Sequence, residues 1–176
     1  MITKNIKDEI KEYFFTNPSE RLRVRHIERM LKLPLPSVIR YCRELEKEGL
    51  LRIIKTGNVV FYTADRSNEN FLLEKKLFNI KQLHNSGLVK HIKIELHNPP
   101  VIVFGSYSKG EDVENSDIDL YIETTKKGFD LRKFEKILKR RVQLFIHTNI
   151  NDVRNPHLAN NIINGIGLNG FIEAFQ

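Results

Sequence analysis

Apolar residues recur at helical spacing in the first third of the chain, then switch to short apolar runs broken by turn residues. Ile6, Ile10, Tyr13 and Phe14 share one helical face and predict a helix from about Thr3 to Phe15, ended by Asn17-Pro18-Ser19. Ile27, Met30 and Leu31 predict a second helix over Val24–Leu31. Leu33-Pro34-Leu35-Pro36 makes a turn and suits the first turn of a third helix, Pro36–Glu48, with Val38, Ile39, Cys42 and Leu45 inward and Gly49 as its stop. Two apolar runs follow, Leu50–Lys55 and Val59–Thr63, joined by Thr56-Gly57-Asn58, and read as a hairpin.

The polar stretch Asp65–Asn70 marks a boundary. A helix is expected over Phe71–Leu83, with Phe71, Leu72, Leu77, Phe78 and Ile80 as its apolar set. Asn85-Ser86-Gly87 breaks it, and Leu88–Leu96 resumes as a helix. Val101–Phe104 and Asp117–Ile122 read as strands, Leu131–Lys139 as a helix and Val142–Ile146 as a strand. A last helix is expected over Pro156–Phe175, bent by its glycines.

Composition narrows the partners. The chain has 176 residues, 40% hydrophobic and 29% charged, enough apolar content for real cores. Its formal net charge of +7 favours an anionic partner. Residues 1–65 carry 13 Lys and Arg against 9 Asp and Glu, net +4, so the excess is spread along the chain. Cys42 is the only cysteine, which excludes an intrachain disulfide and points to a reducing compartment. It reads as a small buried hydrophobe. The N-terminus lacks the apolar run of a signal peptide and no stretch is long enough to span a bilayer, so a cytoplasmic location is expected.

The segment Val101–Glu123, VIVFGSYSKGEDVENSDIDLYIE, carries the chemistry. A buried strand ends at Gly105-Ser106, and the next strand carries Asp117 and Asp119 two residues apart, on one face. Two close carboxylates repel unless a cation sits between them. Mg²⁺ takes one or two carboxylates together with phosphate oxygens and water. Gly105 permits close backbone approach to a phosphate, and Ser106 offers its N–H and hydroxyl.

These residues resemble the signature of the DNA polymerase β-like nucleotidyltransferase superfamily: a strand, Gly-Ser, then Asp-x-Asp on the next strand. The look is nearest to the minimal nucleotidyltransferases of prokaryotes, over about Leu88 to Ile146. The resemblance implies Asp117 and Asp119 as catalytic and metal-holding residues, Gly105 and Ser106 as nucleotide-binding residues, Mg²⁺ as cofactor and an NTP as donor. It also implies a hydroxyl acceptor, which in antitoxins of this type belongs to a HEPN-type toxin protein. One departure stands out. The family's third acidic residue lies on a later strand, where this chain has Gln143 between Val142 and Leu144. A neutral amide coordinates weakly and cannot take a proton. Glu123, on the strand face of the aspartates, is a candidate replacement, and Lys109 and His147 are lesser candidates beside their reading as solvated residues.

Residues from about Lys4 to Ala64, including VRHIERMLKLPLPSVIRYCRELEKEGLLRIIKTGNVVFY, resemble winged-helix DNA-binding domains of prokaryotic regulators. The resemblance implies a DNA-reading face of Ser37, Arg40, Tyr41 and Arg43, with Lys55 and Asn58 on the wing. Arg21, Arg23 and Arg25 are equally readable as backbone contacts or as a solvated loop. The whole is expected to be an α/β two-domain protein: a winged helix-turn-helix domain over 1–65, connecting helices over 66–97, and a nucleotidyltransferase-fold domain with a mixed β-sheet over 98–176. Three functions are open: Mg²⁺-dependent nucleotidyl transfer coupled to double-stranded DNA binding, a DNA-binding regulator whose transferase-like domain is silent or senses nucleotide, and an interaction scaffold with affinity for neither nucleotide nor DNA. A homodimer is compatible with each.

Overall fold

A computed structural model describes residues 5–126 and 128–173. Thr3, Lys4 and Phe175, which bound some of the expected elements, lie outside the described residues. The chain divides into two compact units, residues 1–78 and 79–176.

The first unit is built from α1 (Ile6–Thr16), α2 (Val24–Leu31), α3 (Leu35–Lys47) and the antiparallel hairpin β1 (Leu51–Thr56) and β2 (Val59–Ala64). The side chain of Asn5 caps α1 by accepting from the Lys7 N–H at 3.1 Å, and Asp8 and Glu9 sit where the helix dipole favours acids. Thr56 pairs with Val59, leaving a two-residue loop in which Gly57 takes φ +58. A first-position glycine is what a type II′ hairpin turn demands. Leu22 exchanges backbone hydrogen bonds with Tyr62 at 2.8 and 2.9 Å, adding a third short line to the hairpin. Ile10, Phe14, Ile27, Val38, Cys42 and Leu45 close the core. Met30, expected inside, is 37% exposed, because Ile27 alone occupies the buried line of this short helix.

In α4 (Glu69–Asn85) the buried positions are Phe71, Lys75, Asn79 and Leu83, a strict four-residue stripe. Leu77, expected inward, is 54% exposed. Its place on the buried line is taken by polar residues, which an apolar-period reading passes over.

The second unit continues with α5 (Leu88–Glu95), β3 (Val101–Phe104), α6 (Gly105–Lys109), β4 (Ile118–Glu123), α7 (Arg132–Leu138), β5 (Val142–His147), α8 (Pro156–Ile163) and β6 (Ile166–Asn169). The sheet runs β5-β4-β3-β6 and is mixed: β4 and β5 are parallel through α7, and both partners of β3 are antiparallel to it. This α/β arrangement with a mixed sheet is the expected one. Val101, Val103, Ile118, Leu120 and Ile122 bury one sheet face with Leu88, Val89 and Ile92 of α5. Ile102, Phe104 and Tyr121 bury part of the other with Ile150, Val153 and Ile162. Among the described residues no helix is long and apolar enough to cross a membrane.

The expected last helix, Pro156–Phe175, is corrected. Asn155 caps α8 by accepting from His157 and Leu158, but the helix stops at Ile163 and the chain turns at Gly165 into β6, an edge strand on β3. Pairing with β3 supplies the partners for residues 166–169, a tertiary gain that local periodicity does not register. Gly165 permits the turn because a Cβ there would stand 2.6 Å from the Val103 carbonyl oxygen. Gly165→Ala is therefore expected to destabilise the protein by about 1–3 kcal/mol. Urea unfolding followed by circular dichroism reads this directly; an unchanged midpoint would show that the α8–β6 turn tolerates the methyl group.

Candidate functional site

Strand register brings the chemistry together. Phe104, the last residue of β3, pairs with Asp119 of β4, so the chain leaves β3 beside that carboxylate. Gly105 follows at φ +71, a conformation that L side chains rarely adopt, and a Cβ on it would lie 2.5 Å from Asp119 Oδ2. Glycine is required here twice over, by the turn and by the carboxylate. Ser106 is half-buried in the first turn of the short α6. Ser108 Oγ donates to the Gly105 carbonyl at 2.8 Å and holds that turn closed.

Asp117 lies one residue before β4, which begins at Ile118 rather than at the expected Asp117. It is near enough to act on its neighbour. Burial pushes the Asp119 carboxyl above the ordinary aspartate range, and the charge of Asp117 pushes in the same direction. Among the described residues no cluster of three His, Cys, Asp or Glu side chains could hold a metal. Two crowded carboxylates do suit Mg²⁺, whose remaining positions go to phosphate and water. The donor set fits a metal–nucleotide complex and not an all-protein cage.

Gln143 is exposed on β5 and pairs in register with Asp119. Parallel neighbours in register share a face and stand about 4.8 Å apart, so a neutral amide occupies the β5 position beside the carboxylate. Glu123 is four residues beyond Asp119, roughly 13 Å along the strand. It accepts a hydrogen bond from the Tyr121 hydroxyl at 3.0 Å and is in register with His147, whose ring stacks on Tyr121. Glu123 and His147 thus form a separate cluster at the far end of the face. Lys109 is exposed at the end of α6.

Three residues that the sequence reading missed hold the loop joining Ser106 to Asp117. Asp112 is 2% exposed. Its carboxylate accepts from Asn79 Nδ2 at 2.7 Å and lies 3.8 Å from the Arg140 guanidinium, which also donates to the Glu114 carbonyl. The same Asn79 amide donates to the Tyr107 carbonyl at 2.9 Å. Ser116 Oγ accepts from the Val113 N–H at 2.9 Å just before Asp117. No local signal in the sequence marks them, because Asn79 falls outside the apolar set that periodicity picks out in α4.

In the first unit, Ser37, Arg40 and Tyr41 lie on one face of α3, while Lys55 and Asn58 are exposed on the hairpin. Tyr41, expected to be exposed, is half-buried against the core. The Arg40 guanidinium sits 4.3 Å over the Tyr41 ring, hydrogen-bonds its hydroxyl, and lies 3.6 Å from Glu44. Arg43 is drawn toward Tyr62: burial pushes that phenol up, and the nearby guanidinium opposes the shift.

A family described as Polymerase beta, Nucleotidyltransferase matches residues 88–168, from the first residue of α5 into β6. The match supports the nucleotidyltransferase superfamily for this part of the chain and, at the level of the family, nucleotidyl transfer with an NTP substrate. No curated protein and no solved structure matches the chain.

The raised Asp119 carboxyl has a consequence for stability. The folded state holds that proton more tightly than the unfolded chain, so ionised Asp119 subtracts stability at neutral pH, and the loss is relieved as pH falls through the raised value. Asp119→Asn is expected to raise the melting temperature at pH 7 without divalent ions. The gain should shrink on acidification and vanish below about pH 3.9, the ordinary aspartate value. Calorimetry across that range checks it, and a lower melting temperature for the variant at pH 7 would contradict the assignment.

Proposed function

We propose, proceeding from the nucleotidyltransferase match of residues 88–168, that the chain transfers a nucleoside monophosphate from an NTP to a hydroxyl, with pyrophosphate leaving. The observation that carries this reading is the close approach of Gly105 to Asp119 with the charge of Asp117 alongside. Asp117 and Asp119 supply the carboxylate oxygens for Mg²⁺, which when bound neutralises triphosphate charge and orients the α-phosphate. Gly105 leaves room for a phosphate against the backbone, and Ser106 donates its N–H and hydroxyl to it. A protein hydroxyl is the proposed acceptor. Residues 1–65 are proposed to form a winged helix that binds double-stranded DNA, with Ser37, Arg40, Tyr41 and Arg43 on its reading helix and Lys55 and Asn58 on its wing.

A second reading is favoured by one observation, the pairing of Gln143 with Asp119. An amide there cannot accept the acceptor's proton, and general-base catalysis is worth roughly 10²–10⁴-fold. In this reading the transferase-like part binds nucleotide without turnover, and the chain is a DNA-binding regulator.

Two experiments test these readings, the first the nucleotide site they share and the second the turnover on which they differ. Asp117→Asn combined with Asp119→Asn should abolish Mg²⁺-dependent NTP binding in calorimetry while leaving the circular dichroism spectrum unchanged; undiminished Mg-ATP and Mg-GTP binding would remove the proposed site. Incorporation of label from each radioactive NTP into lysate proteins should be slow with the native chain and roughly 10²-fold or more faster with Gln143→Asp. Brisk native turnover would eliminate the silent reading.

A further inference from the structure

The first unit contains a groove of about 580 Å³ between α2 and the hairpin, lined by Arg23, Arg25, His26 and Arg29 on one side and by Asn58, Val59 and Val60 on the other. Among the described residues no aspartate or glutamate lines it. Arg23, Arg25, His26 and Arg29 are all exposed, and among the described residues none of the three arginines forms a salt bridge. Arg23 is steadied only by the Phe61 ring, 5.9 Å from its guanidinium carbon. Arg25 and Arg29 lie one helical turn apart and so form a row along the groove wall.

The contrast with α3 is what makes this groove informative. There Arg40 is committed to Tyr41 and Glu44, while Glu44 also lies 3.7 Å from Lys7. An arginine already holding its own neighbours must break those contacts before it grips a phosphate. Among the described residues the groove arginines have no acidic partner to give up, and Arg23 only the Phe61 ring.

We infer that the α2–hairpin groove holds the phosphodiester backbone of a nucleic-acid duplex, with Arg23, Arg25 and Arg29 as its phosphate grips. The inference rests on the duplex-binding reading of residues 1–65 and assigns the electrostatic part of that binding within it. Guanidinium forks match phosphate oxygens in paired hydrogen bonds. Three exposed arginines along one open groove suit a run of phosphates better than a single anion. Asn58, at the hairpin tip opposite, offers an uncharged amide to sugar and base edges. The face of α3 is left to contribute contacts that depend on sequence and little on salt.

The test is fluorescence anisotropy of the full chain with a labelled duplex of about 30 base pairs over a series of salt concentrations. Each phosphate contact adds about 0.9 to the slope of log affinity against log salt. Arg23→Ala/Arg25→Ala/Arg29→Ala should therefore lower that slope by about 2.7, with Arg40→Ala/Arg43→Ala lowering it by less than about 1. Arg25→Glu/Arg29→Glu, which leaves Arg23 on its ring, should weaken binding at every salt concentration and keep the native melting temperature. An unchanged slope in the triple variant, with duplex binding intact, overturns the groove assignment alone. Absence of any duplex binding by the native chain overturns both it and the reading on which it rests. Displacement of the duplex by polyglutamate of equal charge would also overturn it and make the groove a seat for an acidic protein segment.

Discussion

The antiparallel pairing of β3 with β4 is the constraint on which the second unit depends. Its register sets Phe104 opposite Asp119, and that choice decides what the next residue can be. Shifting it by one residue would turn Asp119 into the α5 core and Leu120 out of it. Val101 and Val103 together with the alternation Ile118, Leu120, Ile122 hold the register, because each of these side chains has a matched place on the α5 side of the sheet. A carboxylate crowded against a glycine is thus maintained by hydrophobic packing on the opposite face.

Tyr107 anchors the start of the connection from Ser106 to Asp117 in the hydrophobic core, and the rest of the connection is largely polar. It is held by the Asn79, Asp112 and Arg140 contacts. Buried ion pairs of this kind add little net stability over a hydrophobic replacement, but losing one partner is costly, because a buried charge is left uncompensated. Their effect is to make one loop conformation far better satisfied than its competitors. Asn79 reaches two strands of the same loop at once, the Tyr107 carbonyl and the Asp112 carboxylate, and so ties the start of the loop to its middle.

Charge is arranged differently in the two units. In the second, burial pushes the Asp119 carboxyl above the ordinary aspartate range, and the charge of Asp117 adds to it. In the first, Arg40 is paired with Glu44 within α3, while Arg23, Arg25 and Arg29 stand open beside α2. The second unit thus sets a half-buried carboxylate beside a second one, and the first leaves an open cationic wall.

The order of elements through β5, the mixed sheet and the Gly105, Ser106, Asp117, Asp119 constellation were legible in the residues themselves. Periodicity, turn glycines and a two-residue carboxylate spacing are local properties, and the local conformation agrees with the global one there. Gln143 was likewise legible, since strand alternation alone sets it on the face of the aspartates once β5 is parallel to β4. The end of the chain was not: residues 166–169 become a strand only because β3 offers an unpaired edge. Nor were the burial of Lys75, Asn79 and Asp112, the inward packing of Tyr41, or the engagement of Arg40 and Arg43, because each depends on partners remote in sequence or on a neighbouring side chain's rotamer. Local spacing determined which groups could do chemistry; tertiary packing decided which of them are held, which are spent on their neighbours and which remain open.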